Sequence, residues 1–216
     1  MNIRLMPNQR QNHFAVKPWT LVLGFGLLLM VLSGIFLENT GRALSENLLR
    51  LHVVAHSDTV SDQALKLSVR DEVLHFLTPM LSDATTPAEA RDILIPLLDD
   101  IENKAGQALL AQGCELPVRA SLNRMNFPTK TYDGFKLPAG SYNALRLEIG
   151  EGKGQNWWCV VFPPLCVAAA EDVTIAASEG GLNAEQIRLI TEDGQTYVLT
   201  FKCLEWWDGV KAFFKY

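Results

Sequence analysis

The chain has 216 residues, with 19 Lys+Arg against 24 Asp+Glu and a formal net charge of −5. From residue 44 onward it carries 15 basic against 23 acidic side chains, a net of −8. That acidity argues against nucleic acid as a partner, since phosphate binding needs a basic footprint. The length beyond residue 43 suits one domain that buries a core without metal or many disulfides.

The start of the chain is basic. Arg4, Arg10 and Lys17 precede any acid, the first being Glu38, and the 18 residues 20–37 carry no charge. Such a run is at the lower limit for a membrane-spanning helix and long for a signal-peptide core. Positive charge before it places the N-terminus in the cytoplasm and the remainder outside. Gly41-Arg42-Ala43 offers small residues for cleavage. Residues 1–43 are therefore expected to be a signal peptide or a signal anchor, with a membrane helix at about 20–37, and 44–216 an exported domain.

Residues 49–55 alternate and predict a strand. His52 and His56 would lie on one face of it about 13 Å apart, at roughly 3.3 Å per residue, too far to share one ion. Ser61 is expected to cap a helix running to about Leu77, ended by Pro79, with Leu65, Val69, Val73 and Phe76 inward and Lys66, Arg70 and Glu72 toward water. Thr86-Pro87-Ala88-Glu89 reads as a capping box with proline at the first helical position. The second helix carries Ile93, Leu94, Leu97, Leu98, Ile101, Ala105 and Leu109 inward. Pro96 should kink it and Gly113 stop it. Its acids Asp92, Asp99, Asp100 and Glu102 are expected on a solvated face.

Val118, Ala120 and Leu122 suggest a strand leading into a dense stretch, FPTKTYDGFKLPAGSYNALRLEIGEGKGQNWWCVVFPPLC. Two turns sit at Phe127-Pro128-Thr129-Lys130 and Leu137-Pro138-Ala139-Gly140. Residues 142–149 alternate, with Leu145, Leu147 and Ile149 on one face. Gly150-Glu151-Gly152-Lys153-Gly154 is a loop, and 157–162 a buried strand stopped by Pro163-Pro164. Neighbours on a strand point to opposite faces, so at most one of Trp157 and Trp158 faces a given side. The stretch is locally basic: Arg119, Arg124, Lys130, Lys136, Arg146 and Lys153 stand against Asp133, Glu148 and Glu151. Beyond Cys166, residues 167–181 read as a loop. Residues 187–190 and 197–203 around Asp193-Gly194 read as a hairpin, and 205–216 as a closing helix.

No enzyme pattern holds. There is no Gly-x-Ser-x-Gly elbow. The glycine loop lacks the Ser/Thr and spacing of a phosphate-binding loop. Asp58-Thr59-Val60 lacks the glycine of an aspartic protease turn. A displayed, aromatic and locally basic surface is instead that of a binding module, with aromatic anchors and steering charge. The rival class is an exported metal-dependent hydrolase using His52, His56 and Asp58.

The dense stretch closely resembles a signature of the stage II sporulation protein R family. Leu49-Arg50-Leu51-His52-Val53-Val54-Ala55-His56-Ser57-Asp58, Asp62-Gln63-Ala64-Leu65-Lys66-Leu67 and Val69-Arg70-Asp71 resemble its other signature. The resemblance covers about residues 48–168. It implies a protein made in the forespore of endospore-forming Firmicutes and exported into the space between forespore and mother cell. There it would trigger a membrane-embedded aspartic protease that cleaves a mother-cell sigma factor precursor. It implies an agonist and not an enzyme, with no cofactor, no metal and no small-molecule substrate.

The expected fold is α+β: the membrane segment, then one exported domain with a helical hairpin packed on a mainly antiparallel sheet. Residues 171–216 would form a plainer C-terminal hairpin and helix. Lys130, Lys136, Lys153, Asn156, Trp157 and Trp158 are the candidate receptor-binding residues. All four cysteines, Cys114, Cys159, Cys166 and Cys203, lie beyond the leader. An exported compartment permits disulfides. Pro163-Pro164 favours a tight reversal that could join Cys159 to Cys166, the alternative being two buried free thiols. Cys114–Cys203 is a weaker second pair, by elimination.

Overall fold

The computed structural model describes residues 18–166 and 173–191, apart from the side chains of residues 18 and 36–40. It divides into two compact units, residues 1–36 and 37–216. A long helix, α1, spans Pro18–Glu46. In the first unit its large apolar side chains are exposed, among them Leu21, Phe25, Leu28, Met30 and Ile35. Among the described residues no helix is long and apolar enough to cross a membrane; the expected span 20–37 ends in residues whose side chains are not described.

The second unit is α+β. Its elements are β1 (Leu49–Val54), α2 (Val60–Met80), α3 (Pro87–Leu94), α4 (Leu98–Leu110), β2 (Val118–Phe127), β3 (Lys130–Tyr132), β4 (Phe135–Leu137), β5 (Gly140–Ile149), β6 (Asn156–Phe162), α5 (Val173–Glu179) and α6 (Ala184–Thr191). The main sheet has the order β2-β5-β1-β6, and β3-β4 is a separate hairpin. β2–β5 and β1–β6 are antiparallel, while β1–β5 is parallel. The parallel pair is possible because the chain makes its long helical excursion between β1 and β2 before β5 returns beside β1.

Alternation decides what each strand faces. Leu49, Leu51 and Val53 of β1 join Leu145, Leu147 and Ile149 of β5 and Cys159 and Val161 of β6 against α2, α3 and α4. Val69, Val73 and Leu77 complete that core from α2, and Ile101, Ala105 and Leu109 from α4. A second core lies on the opposite face. There Leu44, Leu48, Phe127, Phe135, Leu137, Tyr142, Ala144 and Val160 pack with residues of α5 and α6.

Several local expectations are corrected. Thr59, not Ser61, caps α2, its Oγ1 accepting the Asp62 N–H at 3.2 Å. Pro79 sits inside the last turn of α2, which runs to Met80. Pro96 divides the second helix outright, through a short 3-10 turn at Ile95–Leu97, because it cannot donate to the preceding turn. The box at Thr86 is present, with Oγ1 accepting from Glu89 N–H, but Glu89 reaches back to Thr85. Lys66 is buried, its amine donating to Gln63 Oε1 at 2.6 Å and the Gln155 carbonyl at 3.1 Å. Glu102 is not merely solvated: it accepts the Ala120 N–H at 2.7 Å.

The region expected as a loop contains α5, and residues 187–190 lie in α6 rather than a strand. Asn183 and Gln186 explain the latter. Asn183 Oδ1 accepts the Gln186 N–H, and Gln186 Oε1 accepts the Asn183 N–H, a reciprocal helix cap. The Asp193-Gly194 turn, the strand at 197–203 and the helix at 205–216 lie outside the described residues.

Candidate partner-binding face

The side of β1 away from α2–α4 carries Arg50 and His52, and it has two halves. Around Arg50 the face is closed. Arg50 is fully buried, its guanidinium 4.1 Å over the Phe127 ring and 4.9 Å over the Tyr142 ring. Nη2 donates to the Tyr132 hydroxyl at 2.5 Å. Among the described residues no carboxylate pairs with it, and Nε and Nη1 have no hydrogen-bond partner. Burial pushes the guanidinium below its ordinary value, and Tyr132 and Tyr142 oppose that. Arginine stays charged regardless. An unpaired buried charge is costly, so the three rings are its compensation, at about 2 kcal/mol or more when desolvated. Arg50 thus pins the β3–β4 hairpin to the sheet.

Around His52 the face opens. His52 pairs across the sheet with Arg146 of β5 and Trp158 of β6. Its Nε2 bonds Asn156 Oδ1 at 2.7 Å. An amide oxygen only accepts, so Nε2 carries the proton in the neutral ring. Burial pushes the imidazole below its ordinary value, against the pull of the Asn156 bond. The ring lies 5.9 Å from Trp158 and 6.0 Å from Phe127. Half-exposed Arg146 and Glu148 form an ion pair beside it at 2.5 Å.

The six candidate residues divide by geometry. Asn156 and Trp158 share the His52 face, and the Lys130 amine lies 4.6 Å from the Trp158 ring centre. Trp157 points to the helical side, where Arg70 of α2 lies over it at 4.3 Å. Each indole therefore has a cation against its ring, one on either side of the same strand. Lys153 is exposed in the β5–β6 loop and paired with Glu151 at 2.7 Å. Lys136 lies on β4, across from Thr131. The structure thus groups Lys130, Asn156 and Trp158. It sets Trp157 on the reverse face, Lys153 in the loop and Lys136 on the second hairpin strand.

The glycine loop is a clasp. Gly150 has φ +58°, and a Cβ there would stand 2.4 Å from His56 Nδ1. A Cβ on Gly154 would stand 2.2 Å from the Ser57 carbonyl oxygen. In return His56 Nδ1 accepts the Glu151 N–H at 3.1 Å, and Asp58 Oδ1 accepts the Gln155 N–H at 2.7 Å. His52, His56 and Asp58 are thus held in three separate hydrogen bonds. Among the described residues no three His, Cys, Asp or Glu side chains gather as a metal site would require.

Cys159 and Cys166 are joined by a disulfide, with Cα atoms 5.5 Å apart. The Cys166 N–H donates to the Val160 carbonyl at 3.2 Å, folding the chain back along β6. Cys114 is a free thiol, and Cys203 lies outside the described residues. Arg50 and Arg70 were not among the candidates, because an alternating strand and an amphipathic helix both hide an arginine's role. The sequence signals were the aromatic density of 127–158 and the place of both arginines in the stretches that resemble the family's second signature.

No solved structure matches the chain. Stage II sporulation protein R of Bacillus subtilis (strain 168) is 36% identical over 129 residues, which are 60% of this chain and 58% of that relative. The family model for stage II sporulation protein R matches residues 45–172, from the end of α1 through the disulfide. The chain, with every described strand of its sheet inside that match, belongs to the stage II sporulation protein R family.

Proposed function

We propose that this chain is an exported signal in endospore formation. It leaves the forespore through its N-terminal segment, cleaved or retained as an anchor. In the space between the two cells it binds a membrane-embedded aspartic protease, and that protease then cleaves a mother-cell sigma factor precursor. The chain itself acts as an agonist and not as an enzyme. Agonism requires tighter binding to the active receptor state than to the resting one.

The observation that carries this reading, beside family membership, is the edge of β6. Two adjacent indoles, each against a cation, stand where a partner can reach them. Exposed apolar side chains along the first part of α1, preceded by Arg4, Arg10 and Lys17, support the export segment.

The test is genetic. Deleting the gene should leave the sigma precursor uncleaved, and supplying the full chain should restore cleavage. Normal processing in the deletion strain would overturn the reading. A phosphatase fused after Tyr216 should be active, and activity of a cytoplasm-only reporter there would overturn export.

A further inference from the structure

Each outer strand of the sheet is closed at one point. On β2, the Ala120 N–H is taken by Glu102 of α4, which closes that edge at one point. On β6, the far end is also closed, because Cys166 N–H occupies the Val160 carbonyl. That bond shows that Val160 turns its peptide groups away from β1. Alternation then turns Asn156 and Trp158 outward too, while Trp157 and Cys159 face β1. Among the described residues nothing bonds the outward backbone groups of Asn156 and Trp158. An unblocked strand edge is a template for another strand.

We infer that the Asn156–Trp158 edge of β6 receives an extended, acidic segment of a partner protein, which adds to the sheet as a further strand. This rests on the receptor reading above and names its mode. Backbone pairing supplies the affinity in such additions, and side chains on either face supply the selection. Here the faces are Trp157 with Arg70 and Trp158 with Lys130. Arg70 is paired with Asp71, and Lys153, at the same end of β6, with Glu151, while among the described residues Lys130 makes no ion pair. Lys130, seated against Trp158, therefore fits a carboxylate on the incoming segment and disfavours a basic one. The disulfide return at Cys166 sets where the added strand must stop.

The experiment is hydrogen–deuterium exchange resolved to single amides. It uses the full chain in detergent micelles, alone and with the full-length membrane-embedded aspartic protease of the same organism. Tryptophan fluorescence reports binding independently. The inference expects an alternating result: the Asn156 and Trp158 amides exchange freely in the chain alone and are slowed at least roughly tenfold by the protease. The Trp157 and Cys159 amides are slow in both. Binding without slowing at Asn156 and Trp158 overturns the added strand and leaves the agonist reading standing. No binding overturns both. Slowing in the chain alone that grows with its concentration assigns the edge to a second copy and overturns the acidic partner. Trp158→Val and Trp158→Pro form a second test, because only proline removes the outward N–H. Proline should weaken protease binding roughly tenfold beyond valine, the worth of one hydrogen bond. Equal weakening in a folded proline variant overturns the inference.

Discussion

The Lys130 amine lies 4.6 Å from the centre of the Trp158 ring, so the β3–β4 hairpin and the edge strand β6 present one cation and one indole as a unit. The unit depends on Arg50, which holds the hairpin through the Tyr132 hydroxyl. Display at the surface and burial beneath it are thus parts of one arrangement.

Reversing Lys130 to Glu should impair receptor activation while the domain remains folded and exported. In a double-mutant cycle, Lys130→Ala and Trp158→Ala should couple in domain stability by about 0.5–1 kcal/mol, the value of a partly exposed cation–π contact. Denaturant unfolding of the four proteins measures the coupling. Additive losses would show that the contact carries no energy. Reversal of Lys130, Lys136 and Lys153 together with normal sigma precursor processing would remove positive charge from recognition.

Arg50→Ala should cost about 3–5 kcal/mol, because it empties a packed site and removes three ring contacts. Arg50→Met should cost less, since an apolar side chain fills the space without a charge to desolvate. Urea midpoints at constant m-value make the comparison. Equal losses would mean that the charge, not the volume, is what the rings require.

His52 links stability to pH. Its folded value is below the ordinary 6.5, chiefly through burial. Between the folded and unfolded values the unfolded chain binds the extra proton, so stability rises with pH there and is lost as pH falls below about 6.5. The slope from this one group is at most about 1.4 kcal/mol per pH unit. His52→Gln, which retains an amide donor toward Asn156, should flatten the profile between pH 5 and 7. An unchanged slope in the variant would assign the dependence to other groups.

Much of this was legible from alternation. The strands β1, β2 and β5 read from alternation of side-chain type, and β6 from its short apolar run ended by Pro163-Pro164. The parallel β1–β5 pair was not legible, since register between distant strands depends on the path of the helices between them. Val173–Glu179, rich in small and β-branched residues, carries no periodic signal long enough to read. Residues 187–190 look like a strand when taken as four residues; the cap at Asn183 and Gln186 was the signal for a helix. Of the site, the indoles and Lys130 were visible as residue types. Arg70 was hidden, because the residue that stacks on Trp157 comes from a helix far away in sequence.

The Cys159–Cys166 disulfide closes a short loop and should contribute roughly 2.5 kcal/mol by the chain-entropy estimate. A non-reduced digest of the exported protein should yield the linked peptide pair. Cys166→Ser should lower the unfolding midpoint and weaken signalling together, because the return of the chain beside Val160 is loosened. A lowered midpoint with full signalling would confine the bridge to stability.

Gly154→Ala should cost about 2 kcal/mol or more, since its Cβ would meet the Ser57 carbonyl at 2.2 Å and backbone must move. Gly152→Ala, whose nearest neighbour is the Glu148 carboxylate at 3.2 Å, should cost less even with its positive φ. Thermal midpoints of the two variants test the order.

The place of β1 in the sheet bears on when the molecule can exist at all. Among the described strands β1 is made first and lies between the two made last, with Leu51 opposite both Leu145 and Cys159. A chain threaded through a membrane from its N-terminus would deliver β1 with neither neighbour available, and the sheet could not assemble until Phe162 had emerged. Pairings so distant in sequence are slow to form. If the chain is exported as proposed, the topology leaves the sheet unassembled until β6 has passed, and the proposed signal becomes active only from that point.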